Sequence, residues 1–156
     1  MGLFVTLLLF GLVAALLRAV ATDLATRTIS NRLTAAIALA APLYWVATGV
    51  APWPGMALQV ALGAGVFGLF ALVFATGAMG GGDVKLLGAL ALWLPPASTG
   101  PLLVLTALIG GALTLVMVVA GRWRGQGEKI EVPYGLAIAG AALWILGEPY
   151  VYQFPG

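Results

Sequence analysis

Six apolar stretches follow one another along this chain with only short polar breaks between them, at about residues 2–22, 33–50, 56–76, 84–94, 101–121 and 133–146. Such a chain cannot fold around one core facing water. Of its 156 residues 62% are hydrophobic and 8% charged, with mean hydropathy +1.10, and a soluble domain of this size could not hide that apolar surface. The solvent is lipid, and the expected class is all-α: a polytopic membrane protein with six transmembrane helices in a single membrane-embedded domain, residues 1–156. The first stretch reads as a retained membrane helix and not a signal peptide, because its first basic residue, Arg18, lies at its far end. A full span takes roughly 20 residues, so 84–94, which stops at Pro95-Pro96, is too short alone. It spans if 77–83 enters the bundle as buried non-helical backbone, which is tolerated only where protein or a watery cavity covers it.

Charge placement sets the expected topology. The breaks after the first, third and fifth stretches carry Arg27, Arg32, Arg122, Arg124 and Lys129, with Lys85 just beyond the third, whereas 51–55 and 95–100 carry no Lys or Arg. By the positive-inside rule both termini lie outside. Arg18 snorkels to the inner side. Trp45, Trp53, Trp93, Tyr150 and Tyr152 fall near the outer ends, where an interfacial aromatic belt sits, and Trp123 marks the inner face.

The available chemistry is narrow. With no Cys and no His, disulfides, thiolate nucleophiles, Ser/His/Asp triads and zinc-protease helices are excluded. No metal cluster or cofactor motif is visible. A net charge of +2 resting on few groups gives no reason to expect a nucleic-acid partner. The acidic residues are five: Asp23, Asp83, Glu128, Glu131 and Glu148. Ionisable groups near membrane depth are costly, which makes them candidate functional sites. Asp23 ends an inward stretch and Asp83 begins an outward one, so both come to the cytoplasmic membrane boundary.

Each has a plainer reading as well. Asp23 and Arg27 have the i,i+4 spacing of a helix-end ion pair, with Ser30 or Asn31 as the next N-cap. Asp83 would favour the N-terminus of the fourth helix. Gly80, Gly81 and Gly82 give the backbone before Asp83 freedom to bend and to be approached closely, while Gly77 and Gly81 have the spacing of close helix packing in lipid. Asp83-Val84-Lys85 lacks the ending of a phosphate loop, and Lys85 reads as a membrane-edge anchor. The segment 122–132 reads as a cytoplasmic connection, and Pro133, Tyr134 and Gly135 as a helix start.

Three motifs in order, Asp23-Leu-Ala-Thr-Arg27-Thr-Ile29-Ser30-Asn31, Gly80-Gly81-Gly82-Asp83-Val84-Lys85-Leu86 and Val132-Pro133-Tyr134-Gly135, resemble the type IV prepilin peptidases, membrane aspartic proteases of the GxGD class. The short members serving Flp-type, tight-adherence pili are the most similar. The resemblance implies that Asp23 and Asp83 are the catalytic pair, with Gly80, Gly81 and Gly82 as active-site loop and Arg27, Asn31, Lys85, Pro133, Tyr134 and Gly135 in support. It implies a multi-pass protein of the bacterial cytoplasmic (inner) membrane that removes, at the cytoplasmic face, the leader of a prepilin with a basic leader and a hydrophobic helix. Ser30 stands where many members have Pro. Longer members carry a cysteine-bearing zinc insert and N-methylate the trimmed pilin; this chain has no Cys, so N-methyltransferase activity is not expected. Other readings of paired membrane aspartates are a proton-coupled transporter or channel subunit and a noncatalytic assembly protein.

Overall fold

The structure, a computed structural model, describes residues 2–123 and 132–151. Every apolar stretch forms a helix: α1 Leu3–Thr26, α2 Asn31–Ala47, α3 Ala57–Ala75, α4 Gly81–Trp93, α5 Pro96–Trp123 and α6 Tyr134–Val151, with a wide helical turn at Pro52–Met56 leading into α3. Three helical segments, Leu3–Thr26, Pro52–Ala75 and Pro96–Gly121, are long and apolar enough to cross a membrane, and Tyr134–Glu148 is shorter but apolar. Arg124, Glu128, Lys129, Glu131 and Tyr152 lie outside the described residues, as do the side chains of Arg122, Trp123 and Tyr150.

The bundle is built around its shortest helix. α4 packs against α3, α2 and α6; α1 packs on α6 and α2, and α5 on α6 and α3. Nine α4 residues are buried, among them Leu86, Leu87 and Leu90, which meet Leu12 and Leu16 of α1, Ile37 of α2 and Ile138 of α6 in the core. The outer helices are apolar on both faces: α1 buries Val5, Leu12 and Leu16 and exposes Leu3, Phe4, Leu7 and Phe10, as expected where the outside solvent is lipid. α3 and α4 approach closely because Gly63 faces Leu92 and Gly88 faces Phe67, where an added Cβ would lie 2.9 Å from the Phe67 Cβ. Close packing in lipid therefore falls on this pair, and not on Gly77 and Gly81. Gly77 turns the chain at φ 76°, and a Cβ on Gly81 would make only ordinary contact with Phe74.

Several helix ends differ from the sequence expectation. α1 runs on through Asp23 to Thr26, since nothing in Asp23-Leu24-Ala25-Thr26 breaks a helix; it ends where Arg27 turns left-handed at φ 54°. α5 starts at Pro96, not at 101, because proline is tolerated in a first turn. The segment before Asp83 does not enter the bundle as irregular backbone. Thr76, Gly77, Ala78 and Gly80 are exposed, Gly81 and Gly82 are already helical, and Gly80 is the extended N-cap residue. Helix here satisfies the backbone polar groups that a buried loop would leave unpaired.

The other end of α4 corrects the aromatic belt. Trp53 is exposed, but Trp45 and Trp93 are only 4% and 3% exposed. A 13-residue helix spans about 20 Å, and its end is buried within the bundle, Leu94 being 1% exposed. The Trp45 indole Nε1 donates to Leu92 O at 2.7 Å, and Gln59 Nε2 donates to Leu92 O at 3.3 Å and to Leu94 O at 2.9 Å. Trp93 Nε1 in turn donates to Ile37 O at 2.8 Å, in an α2 that carries Pro42 within it. Because Leu92 O has two side-chain donors, Trp45→Phe alone should cost about 1 kcal/mol, the net worth of one hydrogen bond, and Gln59→Leu alone about 2 kcal/mol, since it loses its bonds to both Leu92 O and Leu94 O. The double variant should cost more than their sum, since only then is that carbonyl stripped of both. Thermal unfolding of the four proteins in detergent measures the coupling; strict additivity would mean that the two donors do not share an acceptor energetically.

Candidate active site

Asp23 and Asp83 lie on different helices, and the fold brings both to the rim of one cavity of about 220 Å³, lined also by Arg27, Thr28, Ile29, Gly80, Gly81 and Gly82. They are close enough that the charge of Asp23 acts on Asp83. Asp23 is 5% exposed and Asp83 8%.

The two carboxylates are held differently. Asp23 sits one turn before the end of α1, and its Oδ2 accepts a hydrogen bond from the Gly135 amide at 2.9 Å, in a buried setting. Gly135 is the second residue of α6, whose first-turn amides have no partner within the helix; the N-terminus of one helix thus meets the acid of another, an arrangement that favours negative charge. A side chain there would crowd the carboxylate. A Cβ on Gly135 would stand 2.8 Å from Asp23 Oδ2 and 3.0 Å from Ile29 Cδ1. Asp83 occupies the first turn of α4 and reaches back to the backbone of Gly80, as an acidic third residue does toward an N-cap. Its Oδ1 is buried with no hydrogen-bond partner. A buried carboxylate oxygen left without a donor costs free energy, and here it belongs to a residue lining a cavity.

The supporting residues divide into groups. Gly82 is an approach point: a Cβ there would lie 3.0 Å from Ile29 Cβ and 3.3 Å from Ile29 N and O. Its φ is not positive, so close packing and not an unusual backbone conformation is its constraint. Arg27 lines the cavity, and its charge acts on Asp23. Ser30, not Asn31, caps α2 by accepting from Leu33 N at 3.2 Å. Asn31 instead accepts from Lys85 Nζ at 2.7 Å, which ties the α1–α2 connection to α4 and gives Lys85 a partner beyond membrane-edge anchoring. Pro133 precedes α6. Tyr134 does not reach the carboxylates; its ring lies against Gly110 of α5 and its hydroxyl is 3.4 Å from Thr114 Oγ1. Ile29, a motif position that carries no chemistry of its own, lines the cavity; its place beside two motif glycines is a signal only the folded chain displays. No group of three or more potential metal ligands occurs among the described residues.

A cavity holding two acids and no better nucleophile is a setting for aspartic-type chemistry. The profile of the type IV leader peptidase family matches residues 8–116, which takes in Asp23, Ile29 and Asp83. Two curated proteins of Burkholderia pseudomallei, from strains 1026b and K96243, each named prepilin leader peptidase/N-methyltransferase, are similar to it at 33% identity, covering 94% of this chain and 48% of their own length. The chain spans about half the length of these curated relatives. No solved structure gives a significant match. With most of its length matched by the family profile, this chain belongs to the type IV leader peptidase family.

Proposed function

We propose that this chain is an aspartic endopeptidase that removes the leader from prepilins, those of Flp-type pili in particular, with Asp23 and Asp83 as its catalytic pair. The observation that carries this reading is the meeting of the two buried carboxylates on one cavity, one oxygen of Asp83 being unpartnered. Two acids so close do not ionise together, and the pair shares a proton. The ionised member takes a proton from water as the water oxygen bonds to the scissile carbonyl carbon. The protonated member donates to the carbonyl oxygen, and the proton gained from water goes to the leaving amine as the C–N bond breaks. Family membership and the names of the relatives support the substrate class. Among the described residues the one other acid, Glu148, is exposed on α6, so no chain of ionisable groups leads from the site through the bundle as a proton relay would require.

In this reading six helices cross the bacterial cytoplasmic membrane, α4 doing so under cover of its neighbours. The cavity opens to the cytoplasm beside Arg27, Arg32 and Lys85, and residues 51–55 face outward. The substrate's hydrophobic helix lies in lipid against the bundle while its basic leader stays in the cytoplasm. In this chain without cysteine, a Cys at Thr28 should react with a membrane-impermeant thiol reagent only after the cells are opened, and a Cys at Trp53 should react in intact cells. The reverse pattern would turn the site to the wrong side.

Asp23→Asn and Asp83→Asn should each reduce cleavage of a leader-bearing Flp-type prepilin to background while the protein stays in the membrane, with the product read by mass. Retention of activity in either variant removes the catalytic pair.

Two glycines test the geometry around it. Gly135→Ala pushes a methyl at Asp23 Oδ2 and Gly82→Ala pushes one at Ile29; displacement of a reacting group by such a margin costs about tenfold or more in rate. Gly65→Ala, on a helix face with nothing within 4 Å, should cleave like the parent. Rates compared at equal membrane-protein level decide, and equal rates in all three would mean that the tight contacts at 82 and 135 do not govern the site.

A further inference from the structure

Ile29 is 7% exposed, although its neighbours Arg27, Thr28, Ser30 and Asn31 are all exposed. A connection of exposed polar residues has turned one β-branched side chain inward. Its Cβ faces the position where Gly82 lacks a side chain, and its Cδ1 faces the corresponding position at Gly135, each 3.0 Å from an ideal Cβ. Gly82 immediately precedes Asp83, and Gly135 donates to Asp23. One side chain therefore touches the first turn of α4 at its root and the first turn of α6 at its tip, each next to one of the two carboxylates.

The connection that carries Ile29 is fastened on both sides. Arg27 closes α1 in a left-handed conformation at φ 54°, with its amide donating to Asp23 O at 2.9 Å; that conformation is uncommon for a residue with a Cβ. Beyond Ile29, Ser30 caps α2, and Asn31 holds the Lys85 ammonium of α4. Sliding of the loop along α4 would break the Asn31–Lys85 bond, and the Ile29 side chain is stiff at χ1. The two glycines and the isoleucine are mutually fitted: a Cβ at either glycine would press on it.

We propose that Ile29 is a positioning residue of the carboxylate pair, a wedge between Gly82 and Gly135 that sets the separation of Asp23 and Asp83. The proposal rests on the reading of those aspartates as the catalytic pair. Interiors are close-packed, so shortening the wedge lets the first turns of α4 and α6 settle toward each other or rock apart. The carboxylates move with them, since one adjoins Gly82 and the other hangs on the Gly135 amide. Misplacement of about 1 Å costs on the order of a hundredfold in rate. The spacing also governs how strongly the two acids interact, and interacting acids titrate as a pair. The shape of the pH–rate bell therefore reports the spacing. Among the described residues the charged groups near the pair are Arg27 at the end of α1 and Lys85 on α4, with Arg32 exposed on α2; α6 presents the amides of Gly135 and Leu136. None of these is altered by a change at Ile29.

The experiment uses the full chain in detergent and a leader-bearing Flp-type prepilin. Ile29→Ala should lower kcat about tenfold or more, leave KM within about twofold, and displace or narrow the pH–rate bell. Ile29→Val, which keeps the branch at Cβ and loses only the atom facing Gly135, should fall between parent and alanine in both respects. Parental kcat with a parental bell, or a loss confined to KM, overturns the proposal. So does a fall in kcat with an unchanged bell, which is what a merely smaller population of folded protein would give. If the alanine protein does not accumulate folded, the valine protein decides by the same readouts. Asp23→Asn and Asp83→Asn run alongside: activity in them removes the catalytic reading and this proposal with it, whereas inactive Asn variants beside an Ile29→Ala protein of parental behaviour remove the wedge alone.

Discussion

A backbone or carboxylate oxygen buried in an apolar bundle must find a donor within the protein, because lipid supplies none. That constraint is met for the last carbonyls of α4 and only in part at its N-terminal end. At its C-terminal end the carbonyls of Leu92 and Leu94 draw in the indole of Trp45 and the amide of Gln59. At its N-terminal end the arrangement is left deliberately short of donors: Asp23 takes the Gly135 amide, while Asp83 keeps one buried oxygen unpartnered. The last carbonyls of the helix are served by side chains, while a carboxylate oxygen at the cavity is not.

The short length of α4 follows from this division. A helix exposed to lipid would need a long apolar surface; α4 is surrounded by α2, α3 and α6 and needs only to be packed. Small residues at Gly63 and Gly88 bring α3 against it, and the other helices present apolar side chains to lipid. The core is therefore centred on α4, with the acids at one end of it.

How much of this was legible in the sequence differs by kind of feature. The six helices were legible because lipid demands continuous hydropathy, which a window of residues records. Their ends were less so: Asp23 looked like a terminator but helix continues beyond it to Thr26, and three glycines looked like a loop but two of them open a helix. Polarity and local freedom allow an ending without requiring one. Trp45 and Trp93 were assigned to the lipid interface by position along their stretches. Position along a helix says nothing of azimuth, and both face inward to serve carbonyls. Counting crossings predicts that Asp23 and Asp83 lie at one membrane boundary, and the structure brings them to one cavity, but the glycine amide that holds Asp23 could not be read, since nothing local to Pro133-Tyr134-Gly135 names a partner in α1. Ile29 escaped for the opposite reason: an isoleucine in an apolar chain carries no contrast until its two glycine neighbours are seen on either side of it.

The Gly135–Asp23 hydrogen bond joins residues 112 positions apart. Residues enter the membrane in the order in which they are synthesised, so a nascent chain that has reached α4 holds both aspartates but not yet the amide that receives the first. The site is finished by the last of the described helices. Until that helix arrives, the α1 carboxylate lacks its buried donor, and completion of the acidic pair is coupled in time to completion of the bundle.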